Sequence, residues 1–187
     1  ANCLRSKQWS GRDSSAARRI RIMGEIELLT VQLEQAFRRR SWHGTNLLGS
    51  IRGMTVETAE ARPAPCRHNI WELIVHAAYW KYSVYRRLAG DPALKFPLKG
   101  SNWFERPVER SATELKADIS LLKKYHALLI DAVQAFPAKK LSAIPKGSST
   151  SYRDLIIGVA AHDLYHAGQI QLIKLLVVKP AKKKSSA

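Results

Sequence analysis

The residues best suited to chemistry are two histidines, His162 and His166, in a strongly helical segment. Residues four positions apart lie about one turn apart on the same face of an α-helix, so both imidazoles can reach one point. That face also carries apolar residues at steps of three and four, which is typical of a seam against other helices. Its other members are Leu155, Val159, Gln169, Ile173 and Leu176. Buried imidazoles need a partner, so the pattern predicts two ligands for one metal ion.

A third histidine, His76, lies in the inward row of another predicted helix. If the two helices pack in one bundle, three neutral imidazoles can meet, leaving a divalent ion with open positions as in catalytic sites. Nitrogen ligands favour transition metals such as zinc, nickel, iron or copper over calcium and magnesium. Such an ion activates water for hydrolysis or a thiol as a nucleophile. Gln169 shares the face of the pair and is expected to orient one of its rings.

Other readings of these histidines are weaker. A zinc-protease helix needs Glu after its first histidine, whereas Asp163 follows His162 here. A di-iron site needs several inward carboxylates, and the inward rows offer at most Glu72. Histidines that are only hydrogen-bonded in the core are the remaining alternative.

The helix pattern also predicts locations for the three remaining histidines. His43 lies in the break after the first helix and is either a surface residue or a proton shuttle near the ion. It is the one candidate for a catalytic side chain, and the general base is otherwise unassigned. His68 is expected at a helix start facing solvent, and His126 is expected on the surface of the third helix.

Four long helical segments position these residues, at about 24–40, 68–90, 111–136 and 151–178. Ser111 with Glu114 fits a capping box, and Gly90 followed by Pro92 ends the second segment. Residues 91–110 are too many for a tight turn between antiparallel neighbours, so they predict a crossover. No segment has a convincing strand pattern. The predicted fold class is an all-α four-helix bundle.

Length and composition narrow the class of protein. The chain has 187 residues, is 45% hydrophobic and contains two cysteines, which fits one domain without a disulfide framework in a reducing cytoplasm. No apolar run reaches the roughly 18 residues that span a bilayer. A membrane partner is therefore not expected.

The formal net charge of +16 is concentrated at the two ends. Residues 1–22 hold six Lys or Arg against one acid, and residues 179–187 hold four Lys and no acid. With no nucleic-acid recognition motif, this distribution indicates solvated tails rather than a nucleic-acid partner. We expect a disordered basic leader at 1–22, one domain at 23–178 and a disordered basic tail at 179–187. Met23 is a candidate for the biological start.

Two segments carry a resemblance to a known family. Residues 162–170 read His-Asp-Leu-Tyr-His-Ala-Gly-Gln-Ile after Tyr-Arg-Asp-Leu at 152–155, and this stretch resembles the last helix of the DinB/YfiT-like metal-binding bundles. Residues 68–80, with His76, resemble the second helix of that family, and residues 41–44 resemble one branch of it.

The resemblance implies an up-down-down-up bundle, a divalent transition metal held by His76, His162 and His166, and a homodimer. The family includes hydrolases and thiol-dependent transferases and isomerases. It therefore implies a small-molecule substrate and a low-molecular-weight thiol as a candidate partner. A non-catalytic metal-binding stress-response protein is the alternative, because a fold alone does not fix an activity.

Overall fold

The computed structural model describes residues 23–104 and 111–177. These residues form six α-helices, a 3-10 helix at Ala138–Lys140 and no β-strand. The helices are α1 (Glu25–Phe37), α2 (Leu47–Ser50), α3 (Val56–Glu60), α4 (Ile70–Ala89), α5 (Ala112–Ala135) and α6 (Tyr152–Val177). The predicted leader, tail and Met23 start concern the chain ends, and residues 1–22 and 178–187 lie outside the described residues.

Local sequence signals set the helix ends. Asn69 and Ser111 each form a capping box, with Glu72 and Glu114 respectively, at the starts of α4 and α5. Ser151 accepts a hydrogen bond from the Asp154 N–H at the start of α6. Gly90 ends α4 with a φ of 66°, a conformation that costs glycine little. The predicted boundaries of the long helices are therefore confirmed to within a few residues.

Side-chain contacts give the direction of each long helix. Trp71 bonds Asp118 and Tyr82 packs on Tyr125, so α4 and α5 run parallel. His76 contacts His162 near the middle of α4 and α6.

The remaining directions follow from contacts near the helix ends. Leu73 of α4 shares a cleft with Ile173, whereas Val84 shares one with Leu155, so α4 and α6 are antiparallel. Glu25 pairs with Arg153 at the starts of α1 and α6, which run parallel. The four long helices form the up-down-down-up arrangement, with the long connection between the two parallel helices α4 and α5.

The core lies between the long helices, and two positions on the predicted inward rows prove to be exposed. Leu176 is 63% exposed because it lies on the outer edge of α6, and Trp80 is 37% exposed because it turns toward the connection that follows α4. Several buried positions lie outside the predicted inward rows, and the least expected is Lys81, a lysine that is fully buried. No helix in the described ranges is long and apolar enough to span a membrane.

Candidate metal centre

The three predicted ligands meet between α4 and α6. Nε2 of His162 lies 3.1 Å from Nε2 of His76 and 2.9 Å from Nε2 of His166. All three imidazoles offer a nitrogen within 4.8 Å of the others. Two nitrogens bound to one tetrahedral zinc ion lie about 3.3 Å apart, so the spacing suits a shared ion. We call these residues the triad.

Hydrogen bonds on the outer side of the triad fix which nitrogen faces inward. The backbone carbonyl of Asn102 can only accept, so His76 donates to it from Nδ1 at 2.8 Å. The Gln169 side chain donates from Nε2 to the Tyr165 hydroxyl and accepts at Oε1 from Nδ1 of His166, at 2.6 Å. In both neutral rings the proton is therefore on Nδ1, and the Nε2 lone pair points to the centre.

The third ring completes this inward arrangement. Nδ1 of His162 is buried and has no hydrogen-bond partner among residues 23–104 and 111–177. Nε2 of His162 can donate to one neighbouring lone pair at most, which leaves at least one lone pair facing another without a proton between them. A cation at the centre removes this repulsion. The donor set and its tautomers therefore fit a divalent transition metal ion.

Burial keeps the triad neutral. It lowers the pKa of His162 to about 3 and that of His166 to about 4, with neighbouring imidazoles adding to the effect. Burial also lowers the pKa of His76, although the bond to the Asn102 carbonyl opposes it. Neutral imidazole is the form that binds a metal, so protons compete with an ion only in acid.

The connection after α4 returns to cover the triad. Asn102 has a φ of 64°, and its side chain accepts a hydrogen bond from Trp80 Nε1 at 3.0 Å. Trp103 stacks on His76 with ring centroids 3.9 Å apart, and also on His68 at 3.5 Å. Periodicity does not reveal that Asn102 and Trp103 contact His76, because a loop has no regular repeat from which its path can be read.

A second group of polar side chains is buried behind the triad. Lys81 of α4 forms an ion pair with Asp163, and both side chains are inaccessible to solvent. The Lys81 ammonium lies 3.3 Å from Nδ1 of His126, whose Nε2 lies 3.7 Å from Glu34. Burial lowers the pKa of Lys81 and raises that of Asp163, and each partner opposes the shift of the other.

The prediction that His126 is a surface residue is therefore wrong. His126 is fully buried and stacks on Phe37 with a centroid distance of 3.8 Å. Its burial, with Lys81 and Arg38 nearby, lowers its pKa to about 2. Neighbouring Lys124 suggested an exposed face, but the ring turns inward to α1.

Two clefts reach the triad from different sides. The α6 cleft, of about 480 Å³, is lined by all three triad histidines and by apolar residues of α6. The α4 cleft, of about 440 Å³, is lined by His76 and His162 together with Trp80 and Leu155. A larger cavity, of about 580 Å³, contacts no triad residue. Small molecules can therefore approach the centre along two paths.

Two other histidines considered in the sequence analysis lie outside the triad. His68 is exposed at the start of α4, as expected, and bonds Glu72 through Nδ1 at 2.9 Å. His43 is exposed in the turn after α1 and does not line either cleft. The proton-shuttle role of His43 stays a hypothesis without a contact in its support.

Comparison with known proteins identifies the family. A family model described as the DinB superfamily matches residues 39–170, more than two thirds of the chain and all three triad histidines. No curated protein and no solved structure matches the chain. The family match and the three clustered histidines are compatible with a metal-binding protein. The chain belongs to the DinB superfamily.

Proposed function

We propose that this chain is a metal-dependent enzyme in which His76, His162 and His166 bind one divalent transition metal ion, with zinc, nickel and iron as candidates. The observation that carries the proposal is the convergence of three neutral imidazoles, two of which, His76 and His166, are held with Nε2 inward by outer hydrogen bonds. A bound ion would act as a Lewis acid, either on water for hydrolysis or on a thiol for transfer.

The surrounding residues support this role by holding the ligands in place. The Asn102 carbonyl and the Gln169 amide restrict rotation of two rings, and Trp103 packs flat against the His76 ring. A ligand set that is rigid before binding loses little entropy when the ion enters. The two clefts then give small molecules access, which a purely structural metal site does not need.

A second candidate is a non-catalytic metal-binding protein. It is favoured by the absence of any carboxylate among the described residues that line the α6 cleft. The carboxylate in the α4 cleft, Asp154, accepts a hydrogen bond from Ser151. The two candidates agree on the metal and differ on turnover.

Turnover by the metal-loaded protein distinguishes them. Protein loaded with zinc, nickel or iron is assayed with a panel of p-nitrophenyl esters, and with low-molecular-weight thiols plus an aryl chloride. The enzyme proposal expects turnover that His76→Ala abolishes and that Gln171→Ala, an exposed change on α6, leaves intact. Metal binding with no turnover on either panel supports the non-catalytic candidate instead.

Two expectations from the resemblance stay predictions. A homodimer is tested by light scattering on the purified chain. The thiol partner is tested by the same assay, since a hydrolase turns over esters without added thiol.

A further inference from the structure

The α6 cleft contains three large side chains that are open to solvent. Tyr165, Leu172 and Leu176 are 63%, 58% and 63% exposed, and all three line this cleft beside the triad. Large apolar side chains gathered at one exposed site mark a binding surface more often than scattered ones do. Leu73 and Trp103 line the same cleft. A molecule that reaches the triad by this path therefore lies against an apolar wall.

Charge in the α6 cleft has one sign. Arg67 is the one Lys, Arg, Asp or Glu among its described lining residues, and the other basic side chains there are His68 and the triad. Within residues 23–104 and 111–177, the Arg67 guanidinium has no ion-pair partner, whereas neighbouring Arg62 is paired with Glu72. A guanidinium without a carboxylate is ready to bind an anion, by preference one with two oxygens.

The α4 cleft lacks this arrangement. Its arginine, Arg87, already donates to the carbonyl and hydroxyl oxygens of Ser83. Asp154 adds a negative charge to the lining. An anion is therefore favoured in the α6 cleft and not in the α4 cleft.

We propose that the α6 cleft is the substrate pocket and that it takes a small molecule with an apolar body and a carboxylate, which Arg67 binds while another group of the molecule reaches the metal ion. Of this inference, only the contact between the small molecule and the metal ion rests on the proposed function. The apolar wall formed by Leu172 and Leu176 binds the body, and Arg67 sets the preference for an acid.

A matched pair of probes tests the proposal. The zinc-loaded full chain is titrated by calorimetry with 6-mercaptohexanoate and with 6-mercaptohexanol, which share a thiol for the ion and a six-carbon body. The acid is expected to bind about tenfold more tightly, as an added charged hydrogen bond would give. Arg67→Gln should remove this difference, and Arg52→Gln, at an exposed arginine outside the cleft, should preserve it. Equal affinities in the parent, or a preference that survives Arg67→Gln, would overturn the proposal.

Two further measurements separate the possible failures. Leu172→Ser is expected to weaken both probes by a similar factor, because it removes contact with their shared body. If light scattering shows a dimer that Leu172→Ser dissociates, a second copy covers the cleft and the proposal is wrong. Zinc content is measured in parallel. If zinc does not bind, the proposed function fails. The metal-free chain is then titrated with the same two probes. A retained preference for the acid would support the pocket, and loss of that preference would overturn the proposal.

Discussion

At the scale of single residues, the partners of the histidines matter as much as the histidines. Gln169 links His166 to Tyr165, and the Asn102 carbonyl receives the Nδ1 proton of His76. Such outer contacts set both the tautomer and the direction of a ligand ring. The triad is thus ordered by residues that lie outside the proposed ligand set.

Replacing Gln169 tests this ordering. Gln169→Met keeps the length of the side chain but cannot accept the His166 proton, so we expect zinc affinity to fall by about tenfold or more. Competition with a chromophoric chelator measures the affinity. Gln171→Met, an exposed change on the same helix, is the matched control. Unchanged affinity in Gln169→Met would show that the hydrogen bond does not orient the ligand.

The burial of His126 predicts how the free energy of unfolding changes with pH. Its pKa is about 2 in the folded protein, whereas an unfolded histidine titrates near 6.5. Above about pH 6.5 both states are neutral, and below it the unfolded state gains a proton that the folded state does not, so stability falls as pH falls. From pH 7.0 to 5.5 this residue should cost about 1 kcal/mol of unfolding free energy.

Urea denaturation at the two pH values measures that cost. His126→Gln should show a drop that is smaller by this amount, since the contribution of the triad is common to both proteins. His43→Gln, which changes an exposed histidine, should keep the drop of the parent. An equal drop in the parent and His126→Gln would mean that His126 gains a proton as readily in the folded state as in the unfolded state, which contradicts its lowered pKa.

At the scale of helices, the Lys81–Asp163 pair joins α4 to α6 directly behind the triad. Asp163 follows His162 in the chain, so the pair and two of the ligands belong to the same two turns of α6. Loss of one partner from a buried ion pair strongly destabilises the folded protein, because an unpaired charge then remains in the core. Replacing both partners with apolar residues removes that penalty.

The pair therefore predicts that the double variant is more stable than the Lys81→Met single variant. Lys81→Met should lower the unfolding free energy by about 3 kcal/mol, and Lys81→Met with Asp163→Leu should recover most of that loss. Thermal and urea unfolding of the two single variants and the double variant complete the cycle. Additive losses would show that the two side chains are not coupled.

At the scale of the whole molecule, the sequence was sufficient to predict the architecture and the clustering of the three histidines. These features follow from the periodicity and the capping preferences of α-helices, which the structure obeys. Examples are the spacing of His162 and His166, the inward position of His76 and the caps at Ser111 and Gly90. The sequence was not sufficient for Lys81, because periodicity assigns a lysine to the surface unless its partner in another helix is known. The path that brings Asn102 and Trp103 to His76 depends on tertiary packing alone.

Metal content tests the central claim most directly. The chain, purified without a histidine tag and reconstituted with zinc or nickel, is compared by elemental analysis with a His162→Ala/His166→Ala variant. We predict about one ion per chain in the parent and none in the variant, with a higher melting temperature for the loaded parent alone, because an ion that binds only the folded state stabilises it. No bound metal in the parent, or equal metal in both proteins, would contradict the assignment of a metal centre to the triad.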